Sequence, residues 1–351
     1  MTQAHPPTLA RRALLFAAAL VFASAGLASA RIGADPEGLA QAAAVEVAAV
    51  AGEDGLLQTN SGLIIEPVLR NGALYALRGQ SAALTDDAAQ DMAAFVGAAT
   101  GFGVDIEQPV LDFLERALPE LAGAGPSVVG IERFRLTLEV DAGDAPYGLT
   151  FALALAEVQD EAFPAARHVK GPVDAPIVIR DFSDFSCPAC RRFVADVLPR
   201  LEATLLSRGD VRIEYHHFPL IGSFPNSFRA AETSECIADA NPADGEAFWR
   251  FHDALFEQQP SWSGLADPDA TFLAIAAEAG VATEGVADCL AEGRHEATVQ
   301  DAYDAAIALQ LRGTPTIFVN GYRLENFVDL AAYQRAIDDL VAFGIVEAAV
   351  D

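Results

Sequence analysis

The stretch that most constrains the fold is Ile177–Phe193, in which an apolar run leads through a short loop to two closely spaced cysteines. The apolar run has the composition of a buried β-strand, and a helical pattern begins at Pro188. Proline suits the first helical position because its missing N–H group has no partner there. Cys187 is therefore predicted to lie against free N–H groups at a helix N-terminus, which stabilise a thiolate. Cys190 lies three residues further on, near enough to form a disulfide with Cys187.

Charged residues flank the two cysteines. Arg191 and Arg192 are expected to add positive charge within a turn of Cys187. Asp181 lies six residues before Cys187 on the predicted strand, where burial of a carboxylate is costly unless it has a partner or a role. We interpret Asp181 as the proton acceptor for the inner thiol. The alternative is a solvated residue at the end of an edge strand.

A C-x-x-C pair is also a common zinc-binding spacing. Zinc would need two further ligands, and the sequence contains no second C-x-x-C and no H-x(3–5)-H pair. The pattern therefore favours a redox-active pair, and we expect no metal and no cofactor.

The N-terminus and the charge indicate an exported, acidic protein. Residues 1–30 have the form of a signal peptide, with Arg11 and Arg12, an apolar run and a small-residue cleavage site at Ala28–Ala30. If it stayed uncleaved, this segment would anchor the chain in a membrane. The net charge of −28 argues against binding to nucleic acid. Disulfides persist outside the cytoplasm, so the four cysteines make two potential pairs.

Residues 31–160 are predicted to form a small α+β domain. Asn71-Gly72 is a strong hairpin signal between apolar runs, and the chain then continues as two helices and two alternating strands, a ββααββ order. An alanine-rich helix is predicted from Asp35 to about Val50. The predicted elements that follow are strands at 62–69 and 73–79, helices at 85–99 and 106–122, and strands at 128–140 and 147–158. Since the domain has no cysteine and no histidine, we expect a spacer, a dimerisation module or a substrate-docking platform.

Residues 161–176 read as a proline-punctuated linker, and residues 177–345 as a second domain. A strand is predicted at Val211–Tyr215 and another at Ile317–Val319, just after Gly313-Thr-Pro-Thr316. Pro199 is expected to kink the helix that follows the cysteine pair. The remaining helices are predicted at 228–238, 246–257, 270–279, 286–292, 296–311 and 330–343. This order predicts an α/β fold that is split by a helical insertion.

Residues 166–345 resemble the DsbA-like branch of the thioredoxin superfamily, the exported thiol–disulfide oxidoreductases. The resemblance is carried by the segments Asp174–Ile179, Asp181–Cys190, Phe218–Leu220, Phe248–Phe256 and Gly313–Gly321. It implies a thioredoxin fold with a helical insertion.

The resemblance also implies roles for individual residues. It makes Cys187 the exposed attacking thiol, Cys190 the buried resolving thiol and Asp181 the family's buried acid. Pro315 takes the position of the cis-proline, and substrate contacts fall to Thr314, Pro315 and Pro188.

The other pair of cysteines, Cys236 and Cys289, corresponds to cysteines that several relatives carry. The resemblance implies a structural disulfide between them, and two buried free thiols are the alternative. We interpret His216 and His217 as a pair of core or surface histidines rather than a set of metal ligands, and His252 as a packing residue on a helix.

The predicted function is an exported or periplasmic dithiol oxidase that introduces disulfides into reduced or misfolded exported proteins. Family analogy adds a quinone-linked membrane thiol oxidase or reductase as its redox partner. One alternative is a disulfide isomerase or reductase whose N-terminal domain dimerises, and another is a non-catalytic binding or chaperone module. The oligomeric state is left open.

Overall fold

The computed structural model describes residues 31–51 and 55–347, and the predicted signal peptide lies outside them. The chain divides into two compact units. One unit ends at Ala156 and also includes Asp339–Ile345, and the other begins at Glu157 and continues to Asp338. Among the described residues, no helix combines the length and the apolar character that a bilayer span requires.

The first unit is built on an antiparallel sheet of seven strands in the order β1-β2-β3-β4-β7-β6-β5. The strands are β1 (Val47–Ala51), β2 (Leu56–Thr59), β3 (Ile64–Arg70), β4 (Ala73–Ser81), β5 (Ser127–Ile131), β6 (Phe134–Val140) and β7 (Leu149–Leu155). The helices are α1 (Leu39–Ala42), α2 (Asp86–Thr100) and α3 (Glu107–Leu121). Alternate residues of β6 and β7 are buried, and so are Met92, Phe95 and Val96 of α2, as expected for a sheet that has one face packed on helices.

The predicted hairpin at Asn71-Gly72 is confirmed. Both residues have positive φ, as a tight two-residue turn requires. The predicted cap is also present, because the Thr85 side chain accepts a hydrogen bond from the Ala88 amide at the start of α2.

Two predicted elements of this unit were wrong. The helix expected from Asp35 to Val50 has four residues, and the chain then forms β1, which pairs with β2. Alanine favours a helix, but the sheet edge provides backbone partners that the local sequence does not reveal. The single strand expected at 128–140 is the hairpin of β5 and β6, which turns at Glu132 in a left-handed conformation. Glutamate gives no such turn signal.

The second unit has a five-stranded mixed sheet in the order β12-β11-β9-β10-β8. Its strands are β8 (His168–Lys170), β9 (Ile177–Ser183), β10 (Val211–His217), β11 (Thr316–Val319) and β12 (Tyr322–Leu324). All seven residues of the central strand β9 are buried. β9 runs parallel to β10 and antiparallel to β11, which is the arrangement that the resemblance implied.

The helices of the second unit follow the predicted pattern. α4 (Pro188–Arg192) leads through a π-helical turn, Phe193–Val197, into α5 (Leu198–Thr204), so the interruption expected near Pro199 is present. The helices that follow are α6 (Ser227–Ala240), α7 (Ala247–Glu257), α8 (Gln259–Trp262), α9 (Asp269–Glu278), α10 (Val286–Ala291), α11 (Glu296–Ala308) and α12 (Leu330–Ala342).

The segment predicted as a linker, 161–176, contains β8. This three-residue strand pairs antiparallel with β10 and closes one edge of the sheet. A strand of three residues is too short to show a periodic pattern, which explains why the sequence did not reveal it.

Candidate functional site

The two closely spaced cysteines lie where β9 ends and α4 begins. Cys187 is the residue before the helix, Pro188 is its first residue, and the Arg191 amide donates to the Cys187 carbonyl at 3.1 Å. Both thiols are free. Cys190 is fully buried and Cys187 is only 6% exposed. The expected order of exposure is therefore found, but the outer thiol is more covered than an exposed nucleophile would be.

The surroundings of the two thiols separate their pKa values. The pKa of Cys187 is lowered to about 6. The largest cause is a hydrogen bond between the Cys190 thiol and the Cys187 sulfur. Burial opposes this shift, and the amides of Cys190 and Ala189 add to it. Burial, followed by the interaction with Cys187, raises the pKa of Cys190 well above its ordinary value.

The neighbouring arginines contribute less to the lowered pKa of Cys187 than the sequence suggested. Arg191 and Arg192 are exposed, and the leading causes of the Cys187 pKa shift are hydrogen bonds and burial rather than arginine charge. Backbone amides at a helix start, together with the partner thiol, are sufficient to favour the thiolate.

Asp181 lies in the middle of the sheet and not on an edge strand. It is 2% exposed, and its Oδ1 atom has no hydrogen-bond partner among the described residues. Burial raises the pKa of Asp181 to about 8. Its charge in turn contributes to the raised pKa of Cys190. The carboxyl group is therefore electrostatically coupled to the inner thiol.

The loop before β11 faces the outer thiol. The Thr314–Pro315 peptide bond is cis, and the Cys187 thiol donates to the Thr314 carbonyl oxygen at 3.3 Å. The Thr316 hydroxyl donates to the Gly313 carbonyl and holds this turn. The structure thus brings Cys187, Thr314 and Pro315 together, as the resemblance implied.

Two further residues hold the loop that carries Cys187, and the sequence analysis missed both. The buried Asp184 carboxylate accepts from the amides of Ser186 and Leu220 at 2.8 and 2.9 Å and from the Ser227 hydroxyl at 2.7 Å. The buried Gln259 amide donates to the Cys187 carbonyl at 3.0 Å. It also donates to the carbonyl of Phe185 at 2.7 Å. Asp184 and Gln259 therefore fix the backbone on which the outer thiol is held.

Cys236 on α6 and Cys289 on α10 form a disulfide, with their Cα atoms 6.0 Å apart. The structural disulfide implied by the resemblance is therefore present, and the alternative of two free thiols is wrong. The bond joins two helices of the insertion that are 53 residues apart in sequence.

His252 and His217 have different surroundings. His252 is buried among aromatic rings and contacts Phe185, Tyr215 and Phe256, which agrees with its predicted packing role. His217, in contrast, points its Nε2 atom at the buried Glu235 carboxylate, 2.9 Å away.

The same carboxylate oxygen also lies 2.8 Å from Nε2 of His168. Glu235 is completely buried, and the His168 ring stacks on Phe248 with its centroid 3.4 Å away. The sequence did not reveal the roles of His168 and Glu235, because Glu235 lies 67 residues after His168 and 18 residues after His217.

Comparison with known proteins relates the second unit to one family. The family model described as Thioredoxin matches residues 164–339. Disulfide bond formation protein D from Bacillus subtilis is 28% identical over 171 residues, which are 48% of this chain and 75% of that protein. Probable disulfide bond formation protein D from Bacillus cereus is 32% identical over 170 residues, which are 48% of this chain and 76% of that protein.

Two other matches are weaker, one because it covers only a small part of the related protein and the other because the structures agree less well. The Na(+)/H(+) antiporter NhaA 3 from Salinispora tropica is 30% identical over 174 residues, or 50% of this chain, and the chain spans only 24% of its length. The crystal structure of oxidised BdbD from Bacillus subtilis matches with a TM-score of 0.45 and 26% identity, over 52% of this chain and 95% of that chain.

Proposed function

Because the chain belongs to the DsbA-like branch of the thioredoxin family, the thiol–disulfide oxidoreductases, we propose that it is a dithiol oxidase of exported proteins. Cys187 and Cys190 are the proposed redox-active pair. The observation that carries this proposal is the opposite shift of the two thiols, with the pKa of Cys187 lowered to about 6 and that of Cys190 raised. An interaction that favours the reduced thiolate makes the disulfide a stronger oxidant.

The proposed reaction starts from the Cys187–Cys190 disulfide. A substrate thiolate attacks the Cys187 sulfur, a substrate–Cys187 disulfide forms, and the Cys190 thiolate leaves. The second thiolate of the substrate then attacks the substrate sulfur of this mixed disulfide. The substrate leaves oxidised, and Cys187 is released as a thiolate, which its low pKa favours.

Asp181 supplies the proton in this scheme. With a pKa of about 8 it is mostly protonated at neutral pH, so it can protonate the Cys190 thiolate as that group leaves. When the protein is oxidised again, the same carboxylate takes the proton back from the inner thiol. Its burial keeps the carboxyl pKa within reach of the working pH.

The substrate is proposed to bind in extended form beside the cis peptide. The Thr314 backbone lies against Cys187, so a strand that pairs with it would bring its own sulfur to the reactive atom. Pro315 follows Thr314 in the cis bond, Pro188 follows Cys187 at the start of α4, and both are the proposed apolar contacts of the substrate.

The proposed location is outside the cytoplasm, after removal of residues 1–30. The relatives from Bacillus are by name disulfide bond formation proteins, which supports the same role for this chain. Each turnover leaves the pair reduced, so an electron acceptor is needed, and a quinone-linked membrane thiol oxidase is the proposed one.

The test is oxidation of a reduced, unfolded protein substrate under single-turnover conditions. Cys187→Ser should abolish turnover, while Cys190→Ala should accumulate the mixed disulfide with substrate. Cys236→Ala combined with Cys289→Ala is the matched control, because it removes two cysteines outside the proposed site and should keep turnover. Turnover by the Cys187→Ser variant would overturn the assignment.

The direction of the reaction is tested by the redox potential of the Cys187–Cys190 pair. An oxidase should lie between about −120 and −200 mV. The dipeptide Pro188-Ala189 places no histidine, and therefore no extra cation, beside the Cys187 thiolate. We therefore expect a milder oxidant than a relative that has a cation at this position. A value near the thioredoxin range, about −270 mV, would instead indicate a reductase.

A further inference from the structure

Three buried side chains from separate elements converge on one point of the second unit. Nε2 of His168 on β8 and Nε2 of His217 on β10 lie 2.8 and 2.9 Å from the same oxygen, Oε1 of Glu235 on α6. These three donor atoms all lie within 4.8 Å of one another. None of the three side chains has a role in the thiol–disulfide exchange described above.

We propose that His168, His217 and Glu235 form a binding site for a divalent transition-metal ion of the Zn²⁺ type. Two histidines and one carboxylate are a ligand set that zinc uses with a fourth position left open. Two atoms that each lie about 2.05 Å from one ion are about 2.9 Å apart at a right angle and about 3.3 Å apart at the tetrahedral angle. The two nitrogen–oxygen separations therefore need to lengthen by at most about half an ångström, and the two nitrogens lie within 4.8 Å of each other.

The protons of the site can be accounted for. In a neutral imidazole whose Nε2 atom donates to Glu235, that nitrogen must give up its proton to bind a metal. The proton can move to Nδ1 of the same ring, so that no acid or base is needed. His217 Nδ1 is buried and has no hydrogen-bond partner in the part of the chain that the structure describes, so it can take the proton without breaking a bond, at the cost of a buried N–H group that has no acceptor.

The surroundings provide both a second shell and an entry path. Arg167 donates to the other oxygen of Glu235 at 2.7 Å, which leaves Oε1 directed at the two rings. Hydrogen bonds of this kind commonly orient a metal-binding carboxylate. A pocket of about 220 Å³ reaches the three ligands and is also lined by Thr298 and Asp301 of α11. Water or Asp301 could complete the coordination.

The donor set decides the class of metal. Imidazole nitrogen suits Zn²⁺, Co²⁺ and related ions, whereas Ca²⁺ and Mg²⁺ prefer oxygen ligands throughout. The ion would join β8, β10 and α6, and its consequence would be a more stable second unit. The sequence did not reveal this site because the ligands are separated by 49 and 18 residues and have no common spacing motif.

The test titrates the full chain with Co²⁺ and Zn²⁺ in a Cys187→Ser/Cys190→Ser background. This background has no free thiol, because Cys236 and Cys289 are joined, so a thiolate cannot bind the metal. We expect one Co²⁺ per chain, with visible d–d bands and no sulfur-to-cobalt charge-transfer band. Saturating Zn²⁺ should displace Co²⁺ and raise the melting temperature.

Single substitutions then locate the site. His168→Gln, His217→Gln and Glu235→Gln should each weaken Co²⁺ binding by about tenfold or more. His295→Gln is the matched control, because this histidine is 7% exposed and bonded to a carboxylate, Asp239, and it should leave the affinity unchanged.

Three outcomes would overturn the proposal. They are no metal bound, affinity retained in both variants at His168 and His217, or an equal loss in the His295→Gln control. If Glu235→Gln does not fold, the two histidine variants and the cobalt spectrum still decide the question.

Discussion

Replacement of Asp181 by asparagine tests the central electrostatic feature of the site. The carboxyl group is 2% exposed, and its pKa is raised from 3.8 to about 8 by burial. Asparagine has nearly the same shape and does not titrate. Asp181→Asn should therefore stabilise the protein at neutral pH and slow its redox chemistry.

The sign follows from proton linkage. Because the folded state holds the proton of Asp181 up to about pH 8 and the unfolded state releases it near pH 3.8, unfolding is favoured as the pH rises between these values. The penalty grows by about 1.4 kcal/mol for each pH unit in this window. It amounts to about 4 kcal/mol at pH 7 and vanishes below pH 3.8. Asp181→Asn should remove it.

The assay is urea unfolding of the oxidised protein, in which neither active-site thiol titrates. The difference in unfolding free energy between Asp181→Asn and the wild type should increase by about 3–4 kcal/mol from pH 5 to pH 8, slightly less than ~1.4 kcal/mol per pH unit because the curve flattens near the folded-state pKa. Asp329→Asn is the control. A hydrogen bond from Arg335 is the largest cause that lowers the pKa of Asp329. Asp329 is therefore ionised in both the folded and the unfolded state above pH 5, and its variant should run parallel to the wild type.

The kinetic part of this prediction separates proton transfer from stability. Loss of a positioned proton carrier should slow formation of the mixed disulfide by about tenfold or more, because Cys190 must leave without protonation. The effect should be greatest below pH 8, where Asp181 is protonated. Parallel pH profiles for Asp181→Asn and the wild type, in stability and in rate, would refute the reasoning.

Three other features give direct tests. In the reduced protein, thiolate absorbance should give a pKa near 6 for Cys187. Cys190→Ala should raise this pKa, because it removes the hydrogen bond that contributes most to the shift. A pKa near 9 in the wild type would mean that the hydrogen bonds at the start of α4 do not stabilise the thiolate. Gln259→Leu removes the side-chain hydrogen bond to the Phe185 carbonyl, while the Cys187 carbonyl keeps its bond from the Arg191 amide. The variant should lower the unfolding free energy by about 1–3 kcal/mol, and an unchanged urea midpoint would show that the loop does not depend on Gln259. Cys236→Ala with Cys289→Ala opens a loop of 53 residues and should cost about 3–4 kcal/mol of unfolding free energy, so an equal stability would mean that the disulfide does not constrain the unfolded chain.

The features that the sequence predicted well are those with local causes. Pro188 marks the start of a helix because of its own backbone chemistry, and this places Cys187 just before the helix and Cys190 within its first turn. The Asn71-Gly72 turn likewise depends on two adjacent residues with positive φ. The longer insertion helices α6, α7 and α11 were found because their patterns extend over more than ten residues, whereas the four-residue helix α8 was not predicted.

The features that the sequence did not reveal depend on partners far along the chain. β8 exists because β10 provides hydrogen bonds to three residues that have no pattern of their own. β1 replaces a predicted helix for the same reason, since its partner is β2. The disulfide between Cys236 and Cys289 was implied by resemblance to relatives, and geometry alone could not have paired them before the fold was known.

Asp181 and Asp184 show why burial has to be known before a role can be assigned. They are three residues apart, both are carboxylates, and burial raises the pKa of both. Asp184 accepts three hydrogen bonds, two of them from Leu220 and Ser227 more than thirty residues away, so it holds the loop in place. Asp181 has an oxygen without a partner among the described residues, so it is the one of the two that can exchange a proton with a neighbouring group. The difference between a structural carboxylate and a proton carrier therefore depends on Leu220, which follows β10, and on Ser227, the first residue of α6. No pattern within Ile177–Phe193 contains this information.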